Sequence, residues 1–115
     1  MLARMKRIIV GVLALSISAP AFAGASNFTL VNGTGGALAQ LSIRRAGTAD
    51  WKPLGAAPAD GARGPVAFSD PDCAFDIQAS VGGSAVTWAG VNLCDVKSVT
   101  LKRDSSAGAW VDYDQ

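Results

Sequence analysis

The chain has 115 residues and a net charge of +1, from ten basic and nine acidic side chains, every acid being aspartate. With neither histidine nor glutamate it lacks the usual proton shuttle near neutral pH, which excludes Ser-His-Asp and Cys-His nucleophile systems. Two cysteines cannot fill a Cys/His zinc site, and a near-neutral charge offers no basic field for nucleic acid.

Met1–Arg7 carries Arg4, Lys6 and Arg7, Ile8–Ser18 is an apolar run, and Ala21-Phe22-Ala23 places small residues where a signal peptidase reads. The apolar run is shorter than the roughly 20 residues a membrane helix needs. These features predict a secretory signal peptide over residues 1–23 and a single β domain over 24–115. Removing 23 residues leaves 92, with seven basic against nine acidic side chains, a net charge of about −2. There are no consecutive arginines at the start and no cysteine at the cleavage point. The expected route is therefore general secretion to the periplasm or beyond, with no membrane anchor after cleavage.

Asn27–Asn32 alternates as a strand with Phe28 and Leu30 on one face. Gly33-Thr34-Gly35-Gly36 reads as a turn. It is not a phosphate loop, since no Lys-Ser/Thr pair follows it. In Leu38–Arg45, Ala39, Leu41 and Ile43 alternate with Gln40, Ser42 and Arg44. Ala46–Pro65 has no clean period and reads as a long connection carrying Trp51 and Leu54 into or over the core, followed by a short strand at Val66–Phe68.

Cys73–Val81 alternates most clearly, with Phe75, Ile77 and Ala79 on one face and Asp76, Gln78 and Ser80 on the other. Gly82-Gly83 is a two-residue hairpin signal. It pairs Ala79 with Val86, Ile77 with Trp88 and Phe75 with Gly90, which predicts a core position for Trp88. The same register sets Cys73 opposite Asn92, so the sulfurs of Cys73 and Cys94 can meet at the open end of the hairpin. A disulfide there closes 22 residues and stabilises the fold by about 3 kcal/mol on the loop-entropy model. Ser98–Arg103 and Ala109–Tyr113 supply the last two strands, with a turn at 104–108. The pattern predicts an all-β domain, a small antiparallel β-sandwich or barrel of about seven short strands with one disulfide. An antibody-type arrangement is not met, because the two cysteines bracket one hairpin.

Phe28-x-Leu30-x-Asn32-x-Thr34-Gly35, Trp51-x-x-Leu54, Cys73-x-x-Asp76-Ile77 and Val91-Asn92-Leu93-Cys94 together span nearly all of 24–115. In these motifs the chain resembles a family of small exported proteobacterial proteins of uncharacterised function. The resemblance implies a shared disulfide-clipped fold and carries no catalytic residue across.

The possible binding residues are Trp51, Trp110 and Asp76. Trp51 reads as a plug closing one end of the domain, or alternatively as part of an aromatic platform for a sugar or peptide. Trp110, near the end of the chain, is the candidate for exposure. Asp76 should sit on the mixed face of its strand and pair with Lys102 or Arg44, an exposed pair of about 0–1 kcal/mol. Asp70, Asp72 and Asp76 echo a calcium loop, but the glycine at position six and the acid at position twelve are missing. No catalytic residue, metal or cofactor is expected. Asn27-Phe28-Thr29 and Asn32-Gly33-Thr34 match the glycosylation pattern without significance in a bacterial export product.

The expected function is a non-enzymatic exported binding or interaction module, its partner a protein or glycan of the cell envelope. The alternative is an inhibitor of a secreted hydrolase such as a lysozyme-type enzyme, inserting the Asp104-Ser105-Ser106 loop. An enzyme working through paired aspartates or a Ser–Lys dyad is a third reading, with no site to support it.

Overall fold

The computed structural model describes residues 24–55, 57–104, 106 and 108–114. The expected signal peptide lies outside the described residues. Among the described residues eight strands run in chain order: β1 (Phe28–Gly33), β2 (Leu38–Arg45), β3 (Lys52–Pro53), β4 (Arg63–Val66), β5 (Ala74–Val81), β6 (Ser84–Asn92), β7 (Ser98–Asp104) and β8 (Gly108–Asp114). They form two four-stranded sheets, ordered β4-β1-β7-β8 and β3-β2-β5-β6. The fold is an all-β sandwich, with eight strands where about seven were expected.

The one strand added to the expected set, β3, lies in the 46–65 connection, and the strand expected at Val66–Phe68 is shifted back to start within it, as β4. β3 contains Pro53, and β4 begins at Arg63, passes through Pro65 and stops at Val66. Both are edge strands, where a proline's missing N–H leaves no gap in a ladder. Proline reads as a strand breaker in sequence, so Pro53 hid β3 and Pro65 displaced the expected bounds of β4. Phe68 therefore lies beyond the strand in which it was expected.

Neighbouring strands are antiparallel apart from β1 and β7, which run parallel and pair Leu30 with Val99 and Asn32 with Leu101. The inner faces bury Phe28 and Leu30 of β1, Leu41 and Ile43 of β2, Phe75, Ile77 and Val81 of β5, and Val99 and Leu101 of β7. Trp88 crosses from β6 into this core at 1 % exposure, and its indole Nε1–H donates to the Lys102 carbonyl of β7 at 2.8 Å. This one side chain supplies both a large apolar surface and a hydrogen bond between the sheets.

Two bulges set the parity of the second sheet. Between Ile77↔Trp88 and Phe75↔Val91, the single residue Asp76 on β5 faces both Ala89 and Gly90 on β6. Gly90 accommodates the extra residue at φ +65°, a conformation that costs glycine little. The expected Phe75–Gly90 pairing is thus replaced by Phe75–Val91. Cys73 comes opposite Leu93, whose N–H donates to the Cys73 carbonyl at 2.9 Å, rather than opposite Asn92. That step brings Cys73 next to Cys94, and the two form a disulfide with Cα atoms 5.1 Å apart. In β2, Gln40 and Leu41 face Ala79 alone, with Gln40 at φ +54°. Parity changes there, so Leu38 packs partly against the core while Ala39, expected inside, is exposed. The Gly82-Gly83 turn has φ of 59° and 83°, the double positive pair that a type I′ hairpin needs.

Asn32 is fully buried at the end of β1. Its Nδ2 donates to the Gly36 and Pro58 carbonyls, at 2.8 and 3.2 Å, while its Oδ1 accepts from the Thr34 N–H and Oγ1–H at 3.1 and 2.7 Å. This network ties the β1–β2 turn to the 57–62 loop and satisfies a polar group that would be costly to bury alone.

Candidate site at the β2–β3 end of the sandwich

Arg44 lies opposite Asp76 in the β2–β5 ladder, on the face turned away from the core. Its Nε donates to Asp76 Oδ2 at 2.9 Å, and the Gly90 N–H freed by the β6 bulge donates to Asp76 Oδ1 at 3.0 Å. Asp76 is 6 % exposed, so it is not the exposed ion-pair partner expected from the strand pattern. The bulge folds β6 over it, and its carboxylate clamps three adjacent strands. Its partner is Arg44; Lys102 lies in the other sheet. The Gly90 N–H holds the Asp76 carboxyl below its usual range and Arg44 adds to the effect, against the upward push of burial.

Lys52 pairs with Ile43 across β2 and β3 and so faces the inner side, which sends Trp51, one residue earlier, to the outer face. There the Trp51 ring lies 4.5 Å from the Arg44 guanidinium carbon, a cation–π contact. Trp51 is half-buried and lies outside the hydrophobic core. It does not plug the sandwich as expected; Leu54, from the same connection, packs against the core instead.

Beside this stack lies a cleft of about 280 Å³. Ile43, Phe68 and Phe75 give it apolar walls; Arg44, Arg45, Thr48, Asp50, Lys52 and Asp70 give it a polar rim. Arg45 joins Asp70 through Nη2 at 3.1 Å and Asp72 through Nε at 3.2 Å. Burial pushes the Asp70 carboxyl upward, but the Asp72 backbone N–H and Arg45 outweigh it, and the group titrates below its usual range. Asp70 also holds the start of the domain, its carbonyl accepting from the Ala25 N–H at 2.7 Å. The three aspartates of the calcium-like spacing are thus divided between Arg45 and Arg44. Among the described residues no group of three or more acids, cysteines or histidines is arranged to hold a metal.

Trp110 lies far from this end in the fold. It pairs with Lys102 across β7 and β8, on the outer face of the first sheet, and is 38 % exposed. Trp51 and Trp110 therefore lie on opposite outer faces of the sandwich and cannot form one platform. Tyr113, 41 % exposed, has a hydroxyl that accepts the Asn92 N–H at 2.9 Å. In the loop assigned to the inhibitor alternative, Asp104 Oδ1 accepts from Ser106 N–H and Oγ–H at 2.7 and 2.9 Å. Arg45 and Phe68, which build the cleft, were not among the sequence candidates, and Asp70 was considered there only as part of a calcium-like spacing. No local period marks them, because they meet only when the 67–72 segment returns beside the β2–β3 connection.

No family model matches the chain, and no curated protein matches it. Among solved structures, the NMR structure of a protein from Eubacterium rectale is similar with a TM-score of 0.56 and 14 % identity. The match covers 85 % of this chain and 96 % of that one. The likeness is one of fold.

Proposed function

We propose that the protein is an exported, non-enzymatic binding module of the periplasm or cell exterior, which engages a protein or glycan of the envelope at its β2–β3 end. The observation that carries this reading is the Trp51–Arg44 stack. An aromatic ring, half-exposed, is held on a guanidinium that is itself fixed by a buried carboxylate. Aromatic and arginine side chains dominate binding hot spots, and a side chain fixed before contact loses little entropy on binding. The disulfide is consistent with an oxidising compartment, and the motif resemblance to small exported proteins supports the same reading. The chain's lack of histidine leaves acid–base catalysis without its usual agent.

The test is capture of a partner from envelope extract by the protein and by a Trp51→Ala variant. A specific partner retained by the parent and lost by the variant is expected. Equal capture by both would overturn the assignment of Trp51. Loss of the exposed cation–π contact should itself lower stability by only about 0.5–1 kcal/mol, so the variant remains folded for the comparison.

A further inference from the structure

The four edge strands of the sandwich differ in how they are closed to further pairing. β3 has two residues and includes Pro53, and β4 has four and includes Pro65. β6 carries the Gly90 bulge, and its Asn92 N–H is taken by the Tyr113 hydroxyl. Shortness, proline and bulges all keep a sheet edge from recruiting another strand. β8 has none of these. It pairs with β7 in unbroken register over seven residues, Gly108–Asp114, without a proline or a basic residue. Among the described residues no strand pairs with its other side, and the two large apolar side chains left exposed, Trp110 and Tyr113, both belong to it.

The register assigns the faces. Val111 pairs with the buried Leu101, so Ala109, Val111 and Tyr113 face inward and Trp110, Asp112 and Asp114 outward. A strand added at this edge would therefore cover an aromatic ring on each side of the sheet. Asp112 and Asp114 are the only charges on β8, and they stand opposite Thr100 and Ser98. Among the described residues neither forms an ion pair. Lys102, opposite Trp110, leans toward β1 and away from β8: its Cδ lies 3.0 Å from where a Cβ on Gly33 would stand. The outer face of this edge thus presents two unpaired carboxylates. Pairing β8 antiparallel with a second β8 would set two aspartates from each copy on one face, and like charges brought together disfavour that union. The same two charges favour a strand that carries lysine or arginine opposite them.

We infer that β8 is a docking edge for an extended segment of another polypeptide in which basic and apolar residues alternate. The segment joins the sheet β4-β1-β7-β8 as a fifth strand through main-chain hydrogen bonds. Its basic residues lie on the outer face, against Asp112, Asp114 and the ring of Trp110, which attracts a cation. Its apolar residues lie on the inner side, over Tyr113 and beside Val111. The site is separate from the Trp51–Arg44 stack, which belongs to the other sheet.

The experiment titrates the isotope-labelled, oxidised protein with three capped heptapeptides, following backbone amide NMR shifts. The first alternates lysine and valine. The second is the same peptide N-methylated at every residue, which removes its main-chain N–H donors. The third alternates glutamate and valine. The first should shift the amides of Gly108–Asp114, and the other two should bind about tenfold more weakly. Asp112→Asn, at an exposed position, should weaken the lysine peptide about threefold, and Trp51→Ala should leave its affinity unchanged. Absence of shifts in β8, or equal binding of the N-methylated or the glutamate peptide, would overturn the inference. Loss of binding in Trp51→Ala would overturn it as well, by tying the peptide to the opposite face. Concentration-dependent shifts in β8 with a doubled sedimentation mass, in the absence of peptide, would assign the edge to a second copy instead.

Discussion

The two sheets solve the problem of a buried polar group in opposite ways. In the sheet β4-β1-β7-β8 the group is Asn32, uncharged, on the inner side, with four hydrogen bonds to the turn and loop around it. In the sheet β3-β2-β5-β6 it is Asp76, charged, on the outer side, held by Arg44 and the Gly90 N–H. The assembly of the sheets differs in the same sense. The second contains the β5–β6 hairpin, two bulges and a disulfide that clips the hairpin's ends. The first joins β1 to β7 in parallel across most of the domain, which no short connection can do. A neutral network closes the junction between the β1–β2 turn and the 57–62 loop. A charged clamp stiffens the face from which Trp51 projects.

Three variants test this contrast. Asn32→Ala should have the largest effect, about 3–4 kcal/mol by urea denaturation, because it strands several buried partners at once. That loss should be the same at every pH, since no titrating group is involved. A loss of less than about 1 kcal/mol would show that water replaces the side chain. Replacing Cys73 and Cys94 together by serine should cost about 3 kcal/mol. If the hairpin is the independently ordered part of the molecule, amide exchange in β5 and β6 should accelerate more than in β1 and β7; uniform acceleration would break that distinction.

Asp76→Asn should cost about 2 kcal/mol near neutral pH, through loss of a charge-assisted bond to Arg44. Here the effect depends on pH. The folded carboxyl titrates below its ordinary value of 3.8, so its contribution is full above that value and fades as pH falls through the lower, folded one. The stability gap between parent and variant should therefore close in acid, whereas the Asn32→Ala gap stays constant. A gap unchanged down to pH 2–3, that is about 1–2 units below the usual aspartate range, would place the effect in packing rather than charge.

Much of the second sheet was legible in sequence because its signals are local. The alternation of Cys73–Val81, the Gly82-Gly83 turn, the core position of Trp88 and the Cys73–Cys94 bond all follow from residues within one hairpin. The limits of β2 at Leu38 and Arg45 are those of its alternating run. The bulges were not legible. Each depends on one additional residue whose place is set by the strand opposite, and each reverses which side chains face inward. The burial of Asp76 follows directly from the β6 bulge. β3 was hidden by Pro53 and the bounds of β4 were displaced by Pro65; both prolines are acceptable only because those strands lie at edges, and edge position is a property of the assembled sheet.

The sequence by itself thus determined the β class, the hairpin and its disulfide, and the lack of any histidine or glutamate, since these depend on composition and on neighbours a few residues apart. The tertiary structure alone decided that β1 lies beside β7, that Trp51 stacks outside on Arg44, and that Phe68 and Asp70 complete a cleft with β2. The physical reason is the reach of the interactions involved. Alternation and turn geometry act within a strand or a hairpin, whereas pairing partners, bulges and the closing of a cleft join segments whose separation in sequence carries no information about their meeting.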